Sequence, residues 1–91
     1  MDTERWQILL RAIDRGSLRA AADEMDVTVS GISRSVATLE KELGFSLLHR
    51  AKSGVQPTEE CRQLLPTVRD LLFAQERLEQ TAAKVRLGLE L

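Results

Sequence analysis

Scarcity defines this 91-residue chain first: one cysteine, one histidine, two prolines, three aromatics and no tyrosine. A single cysteine, Cys61, excludes an internal disulfide framework and suits a reducing compartment, so a cytoplasmic protein is expected. Cys61 and His49 cannot assemble a zinc site by themselves. Cys61 reads as a small core residue rather than a redox sensor. His49, between Leu48 and Arg50, reads as an exposed strand residue. There is no catalytic triad, no glycine-rich phosphate loop and no metal motif, so nothing supports an enzyme or a bound cofactor. No apolar run approaches the ~20 residues of a membrane span. Asp2, Glu4 and Arg5 occupy the start, and no secretory signal is visible. With so few aromatics, Trp6 reads as a core anchor rather than a ligand-stacking ring. Excess charge is missing too. The net charge is −1, and residues 1–57 carry eight Lys/Arg against eight Asp/Glu, which argues mildly against nucleic acid.

What is present is organised around residues 17–44, SLRAAADEMDVTVSGISRSVATLEKELG. Ser17 can cap a helix whose apolar face is Leu18, Ala21, Ala22 and Met25. Two small alanines allow close approach of a second helix. Asp26 and Val27 form a turn, and Thr28 caps the next helix. Ile32, Val36, Leu39 and Leu43 then fall on one face, and Gly44 sits where a left-handed C-cap belongs. Two helices joined by a tight turn are the sequence form of a helix-turn-helix, whose second helix enters the major groove of DNA. The outer face of that helix carries Thr28, Val29, Ser30, Gly31, Ser33, Arg34 and Ser35, with no acid until Glu40. Short hydroxyls and an arginine suit base edges and phosphates. An amphipathic helix with small surface residues is the plainer alternative.

Around this unit the chain supplies three further elements. Residues 3–15 predict a helix with Trp6, Leu9, Leu10 and Ile13 on one face, capped by Asp2 or Thr3 and ended by Gly16. Phe45, Leu47 and His49 alternate in a short strand. Ala51-Lys52-Ser53-Gly54 is a turn, and Val55-Gln56-Pro57 a return strand. This hairpin is a wing, and Lys52 is its tip cation, able to lie on phosphate or in the minor groove. Arg50 either holds the wing to the helical body or touches phosphate. Thr58 then caps a long helix in which Leu64, Val68, Leu71, Gln75, Leu78, Ala82, Val85 and Leu89 recur at steps of four and three, a heptad seam. Leu65 and Leu72 form a second stripe facing the winged body. Pro66 predicts a kink near residues 62–66. A seam this apolar needs a partner, and a second copy is the simplest one, with Gln75 able to set its alignment. The fold class is therefore mainly α: a winged helix-turn-helix, three helices plus a two-stranded wing, over residues 1–57, and a linker and dimerisation helix over residues 58–91.

The run from Gly16 to Arg50 resembles the N-terminal domain of LysR-type transcriptional regulators. Gly16-Ser17, Ala21-Ala22, Val27, Ser30, Ser33-Arg34, Leu39-Glu40, Glu42-Leu43-Gly44, Leu47-Leu48 and Arg50 carry the resemblance at family spacing. It implies sequence-specific binding of double-stranded DNA by a homodimer, or a tetramer when full length, in the nucleoid. The recognition helix, about 28–43, would dock through Thr28, Val29, Ser30, Ser33 and Arg34. Ser17, Arg19 and Thr38 would approach phosphates, as would the wing of about 45–57 through Arg50, Lys52 and Ser53. It further implies that the chain is a fragment lacking a small-molecule-sensing domain. Departures matter. Val29 stands where many members have glutamine, Gly31 where alanine or proline is usual, Ala37 where Lys or Gln is common, and Lys52-Ser53 where the wing tip often has arginine. These imply weaker binding per domain, recovered by pairing two domains. A winged, coiled-coil protein-interaction module without DNA is the competing expectation.

Overall fold

The structure is a computed structural model and describes residues 1–88. Leu89, the last residue of the expected seam, lies outside the described residues. In chain order the elements are α1 (Thr3–Arg15), α2 (Leu18–Met25), α3 (Val29–Leu43), β1 (Leu48–Ala51), β2 (Gly54–Pro57) and α4 (Glu59–Arg86). The two strands pair antiparallel, Leu48 opposite Pro57 and Ala51 opposite Gly54, so Lys52 and Ser53 form the hairpin tip.

Every helix begins at a side chain suited to begin it. Asp2, Ser17, Thr28 and Thr58 accept from the backbone N–H of Glu4, Ala20, Gly31 and Cys61 respectively. Each such cap is worth about 1 kcal/mol over alanine. Gly16 and Gly44 end α1 and α3 with positive φ, as does Asp26 for α2 at φ 57°. An aspartate tolerates that conformation better than most residues, because its short polar side chain can bond locally. The Val27 N–H reaches back to the Ala22 carbonyl at 3.0 Å, closing the helix end within the turn of the helix-turn-helix.

The core forms where α1, α2 and α3 cross and α4 covers them. Trp6, Leu9 and Ala12 of α1 meet Ala21 and Ala22 of α2 and Ile32, Val36 and Leu39 of α3, all buried. The alanine pair leaves room for α1 and α3 to close on α2, as the spacing predicts. Ala12, fully buried, extends the expected α1 face. The strand differs from expectation. Leu47 and Leu48 are both buried, so no alternation runs from Phe45 to His49; β1 starts only at Leu48. The reason is that Leu47 precedes the ladder: its N–H is held by Glu40 and its carbonyl by the Thr58 N–H, which turns its side chain inward with its neighbour. His49 is exposed, as expected.

α4 is one helix through Pro66. Its first turns belong to the same core: Cys61 and Val68 are buried in it, with Leu64, Leu65 and Leu72 packed against it. Gln75, Glu76 and Glu79 still run beside α1, and the molecule has an overall extent of 51 × 27 × 19 Å. No helix among the described residues is long and apolar enough to cross a membrane.

Cys61 is fully buried in the core at the start of α4. Burial pushes its thiol above the ordinary range, the Arg62 charge pulls it back, and the Glu40 carboxylate raises it again. A neutral, covered thiol is a poor nucleophile. Alkylation of Cys61 by a maleimide at neutral pH should be at least about 100-fold slower in the folded chain than in denaturant, because it must wait for opening. Measured labelling at the denatured rate would contradict this packing.

Candidate nucleic-acid interface

α3 turns one face inward with Ile32, Val36 and Leu39, and this fixes what its other face shows. Thr28, Val29, Ser30 and Arg34 are exposed, while Ser33 and Thr38 are half-buried at the edges of that face. On the wing, Arg50, Lys52 and Ser53 are exposed. At the start of α2, Arg19 is exposed and Ser17 half-buried.

The hydroxyls differ in what they have left to offer. Ser17 and Thr28 accept backbone N–H groups as N-caps, so their own protons are free. Ser33 accepts from the Arg50 Nη1 at 3.4 Å, which also leaves its proton free. Thr38 is the opposite case: its hydroxyl donates to the Arg34 carbonyl at 2.9 Å. A phosphate oxygen only accepts, so Thr38 would have to release that bond before it could donate to one.

The structure also sorts the cations that sequence counting left balanced. Arg5 pairs with Asp2, and Arg11 and Arg15 both lie 3.6 Å from Glu24, tying α1 to α2. Among the described residues, no carboxylate lies within ion-pair distance of Arg19, Arg34, Lys41, Arg50 or Lys52. The arginines of α1 are thus engaged by Asp2 and Glu24, whereas the cations of the α2 start, α3 and the wing stay available to an outside anion. These surface pairs contribute little stability, at most about 1 kcal/mol each. Their consequence is which charges remain uncommitted.

Two parts of the site escape sequence reading. Glu40 accepts the Leu47 N–H at 2.6 Å, strapping the end of α3 to the start of the wing. The Val55 N–H donates to the Gly16 carbonyl at 3.0 Å, docking the far strand on the turn between α1 and α2. Together with Ser33–Arg50 these bonds hold wing and α3 as one body. Glu40 offered a weak signal, a carboxylate at the half-buried edge of the inner helix face. Gly54 offered another, a glycine closing the tip.

A three-helix body with a helix-turn-helix and a docked two-stranded wing defines a winged helix-turn-helix domain. Residues 3–62 match the bacterial regulatory helix-turn-helix proteins of the lysR family, and the chain belongs to that family, as its N-terminal DNA-binding domain. It is 38% identical over 89 residues to the nitrogen assimilation regulatory protein nac of Escherichia coli (strain K12), covering 98% of this chain and 29% of that protein. It is 40% identical over 88 residues to the transcriptional regulator IlvR of Caulobacter vibrioides, covering 97% of this chain and 30% of that one. The chain therefore spans under a third of the length of these relatives. The solved LysR family regulator CbnR superposes with a TM-score of 0.86 at 25% identity, over 92% of this chain and 29% of CbnR. The BenM DNA-binding domain in complex with catB site 1 DNA has the same fold, with a TM-score of 0.87 at 24% identity over 97% of this chain and 95% of that one.

Proposed function

We propose that this chain binds double-stranded DNA sequence-specifically as a homodimer. The N-terminal half of α3 enters the major groove, and the wing lies near the backbone or minor groove. The observation that carries this reading is the exposed outer face of α3, where Arg34 and the hydroxyls of Thr28, Ser30 and Ser33 stand without a carboxylate partner beside an equally unpaired wing. Solved DNA complexes of the CbnR and BenM DNA-binding domains, which share the fold, support it. Residues 1–57 form the reading unit and α4 the pairing helix. In a full-length protein, α4 would lead to a small-molecule-sensing domain and tetramers could form. The setting is the bacterial nucleoid.

Pairing rests on what α4 leaves uncovered. Val68 of the seam is 5% exposed and Leu64 is packed on the same core, so the chain's own body already covers them. Leu71, Leu78, Ala82 and Val85 remain open, and Leu71 borders an apolar groove of about 230 Å³ with Trp6, Leu43, Leu64 and Val68. Gln75, expected in the seam, is half-buried beside Thr3, Gln7 and Met25 with its Oε1 covered, so the other open positions are the proposed contact between two copies.

A mobility-shift titration tests the DNA reading. Arg34→Ala should weaken binding to every duplex and lower the slope of log K against log salt by about one, the signature of one lost phosphate contact. Ser33→Ala should change sequence preference more than affinity. A parent chain that shifts no duplex even at low salt would instead favour the protein-interaction module, a reading for which the exposed Leu71, Phe73 and Leu78 are the motivating observation.

A further inference from the structure

Ser33 is one of the α3 hydroxyls proposed to face base edges, and it has an attached cation. The Arg50 Nη1 of β1 donates to its Oγ at 3.4 Å, across 17 residues of sequence. A serine hydroxyl carries one proton and two lone pairs, whereas a guanidinium can only donate. The contact therefore occupies one lone pair and polarises the O–H, making Ser33 a stronger donor and a poorer acceptor. No carboxylate among the described residues lies within ion-pair distance of Arg50 to draw it elsewhere. The remaining donors of the guanidinium stay free for a phosphate, so holding Ser33 and touching the backbone are compatible.

Base edges in the major groove sort by this polarity. Guanine offers N7 and O6, adenine N7 and thymine O4 as acceptors, but cytosine offers only its N4 amine, a donor. A cytosine amine facing Ser33 would find only the one lone pair that the guanidinium leaves, weakened by polarisation and beside a positive charge. We infer that Arg50 is a specificity-determining positioning residue, which keeps Ser33 a hydrogen-bond donor and so makes this position of α3 select against cytosine. The inference rests on the proposed docking of α3 in the major groove.

Selection from a library of randomised duplex DNA, run in parallel with the parent chain, Arg50→Ala, Arg50→Lys and Ser33→Ala, tests it. Circular dichroism verifies that each variant is folded. The parent should deplete cytosine about ten-fold at one position of the selected site. Arg50→Lys, still a cation that only donates, should keep that depletion. Arg50→Ala should lose it, because Ser33 then accepts from the amine with unweakened lone pairs and no guanidinium charge beside it. Ser33→Ala should lose the preference at that position altogether. A loss of overall affinity in Arg50→Ala with cytosine still depleted would overturn the inference and leave Arg50 as a phosphate contact alone. A parent that enriches a sequence with no cytosine-depleted position would also overturn the inference while leaving the DNA reading intact. If no chain enriches any sequence, the DNA reading fails and the inference with it.

Discussion

Gly54→Ala should lower the melting temperature of the chain by more than about 10 °C, the largest effect expected of any single methyl group in it. Two costs combine. Gly54 closes the wing tip at φ 129°, a backbone region that side-chain-bearing residues rarely adopt and that costs on the order of 1–3 kcal/mol. A Cβ built there would also run into the carbonyl oxygen of Gly16, which is backbone and cannot swing aside. That same oxygen accepts the Val55 N–H, so moving it breaks the bond that docks β2 on the helical body. The total is about 3 kcal/mol or more, a large fraction of the stability of a domain this small. Gly16→Asn is the control. Gly16 has φ 68° and open space around its Cβ position, and asparagine tolerates that conformation. It should melt close to the parent in a thermal scan followed by circular dichroism. Equal losses in both variants would mean that positive φ alone, rather than the contact with the wing, sets the cost.

The comparison of these two glycines shows what local pattern can reveal. The helix starts at Asp2, Ser17, Thr28 and Thr58 were legible because a cap is a local device, a side chain bonding an N–H two or three residues on. The three-helix core followed from faces of period 3.6, and the hairpin tip at Lys52-Ser53 from turn chemistry. The outer face of α3 followed by subtraction. Of the bonds that bring the wing to α3, the sequence offered only the alternative that Arg50 holds the wing to the helical body, and none of the partners was legible. Leu47 lies seven residues from Glu40, Arg50 seventeen from Ser33, and Val55 still farther from Gly16. No periodicity encodes a contact between two elements whose relative placement depends on a third. The same limit explains the double burial of Leu47 and Leu48, which depends on where Glu40 and Thr58 stand. It also explains the seam of α4: a heptad stripe records that a face is apolar without recording what covers it. Val68 is covered by its own chain, and Leu78 by nothing in it.

Leu78→Asp should convert a dimer into a monomer at micromolar concentration while leaving the winged body folded. Leu78 is 67% exposed and Val85 59%, and the residues from Ala74 to Arg86 contain none that is buried. Gln75 and Glu79 still border α1, but the last two turns of α4 extend past that contact, and so short a stretch of helix is marginal in water on its own. Their stability is therefore expected to come from a second α4 laid along the open seam of Leu71, Leu78, Ala82 and Val85. Placing a carboxylate from each copy into that contact costs at least about 3 kcal/mol, more than a hundred-fold in Kd. Light scattering should show two parent chains per particle and one for the variant. Hydrogen exchange adds a readout that an ordinary surface mutation would not give: amides of residues 74–86 should be protected in the parent and lose protection in Leu78→Asp, while those of α1 and α3 keep theirs. Uniform loss of protection would mean general destabilisation. A parent that is monomeric with residues 74–86 still protected would show that α4 holds its shape without a second copy. Because two reading heads on one particle bind through effective concentration, Leu78→Asp should also weaken binding to a two-half-site duplex far more than to a single half-site. Equal weakening on both duplexes would place the effect in the reading head rather than in the pairing.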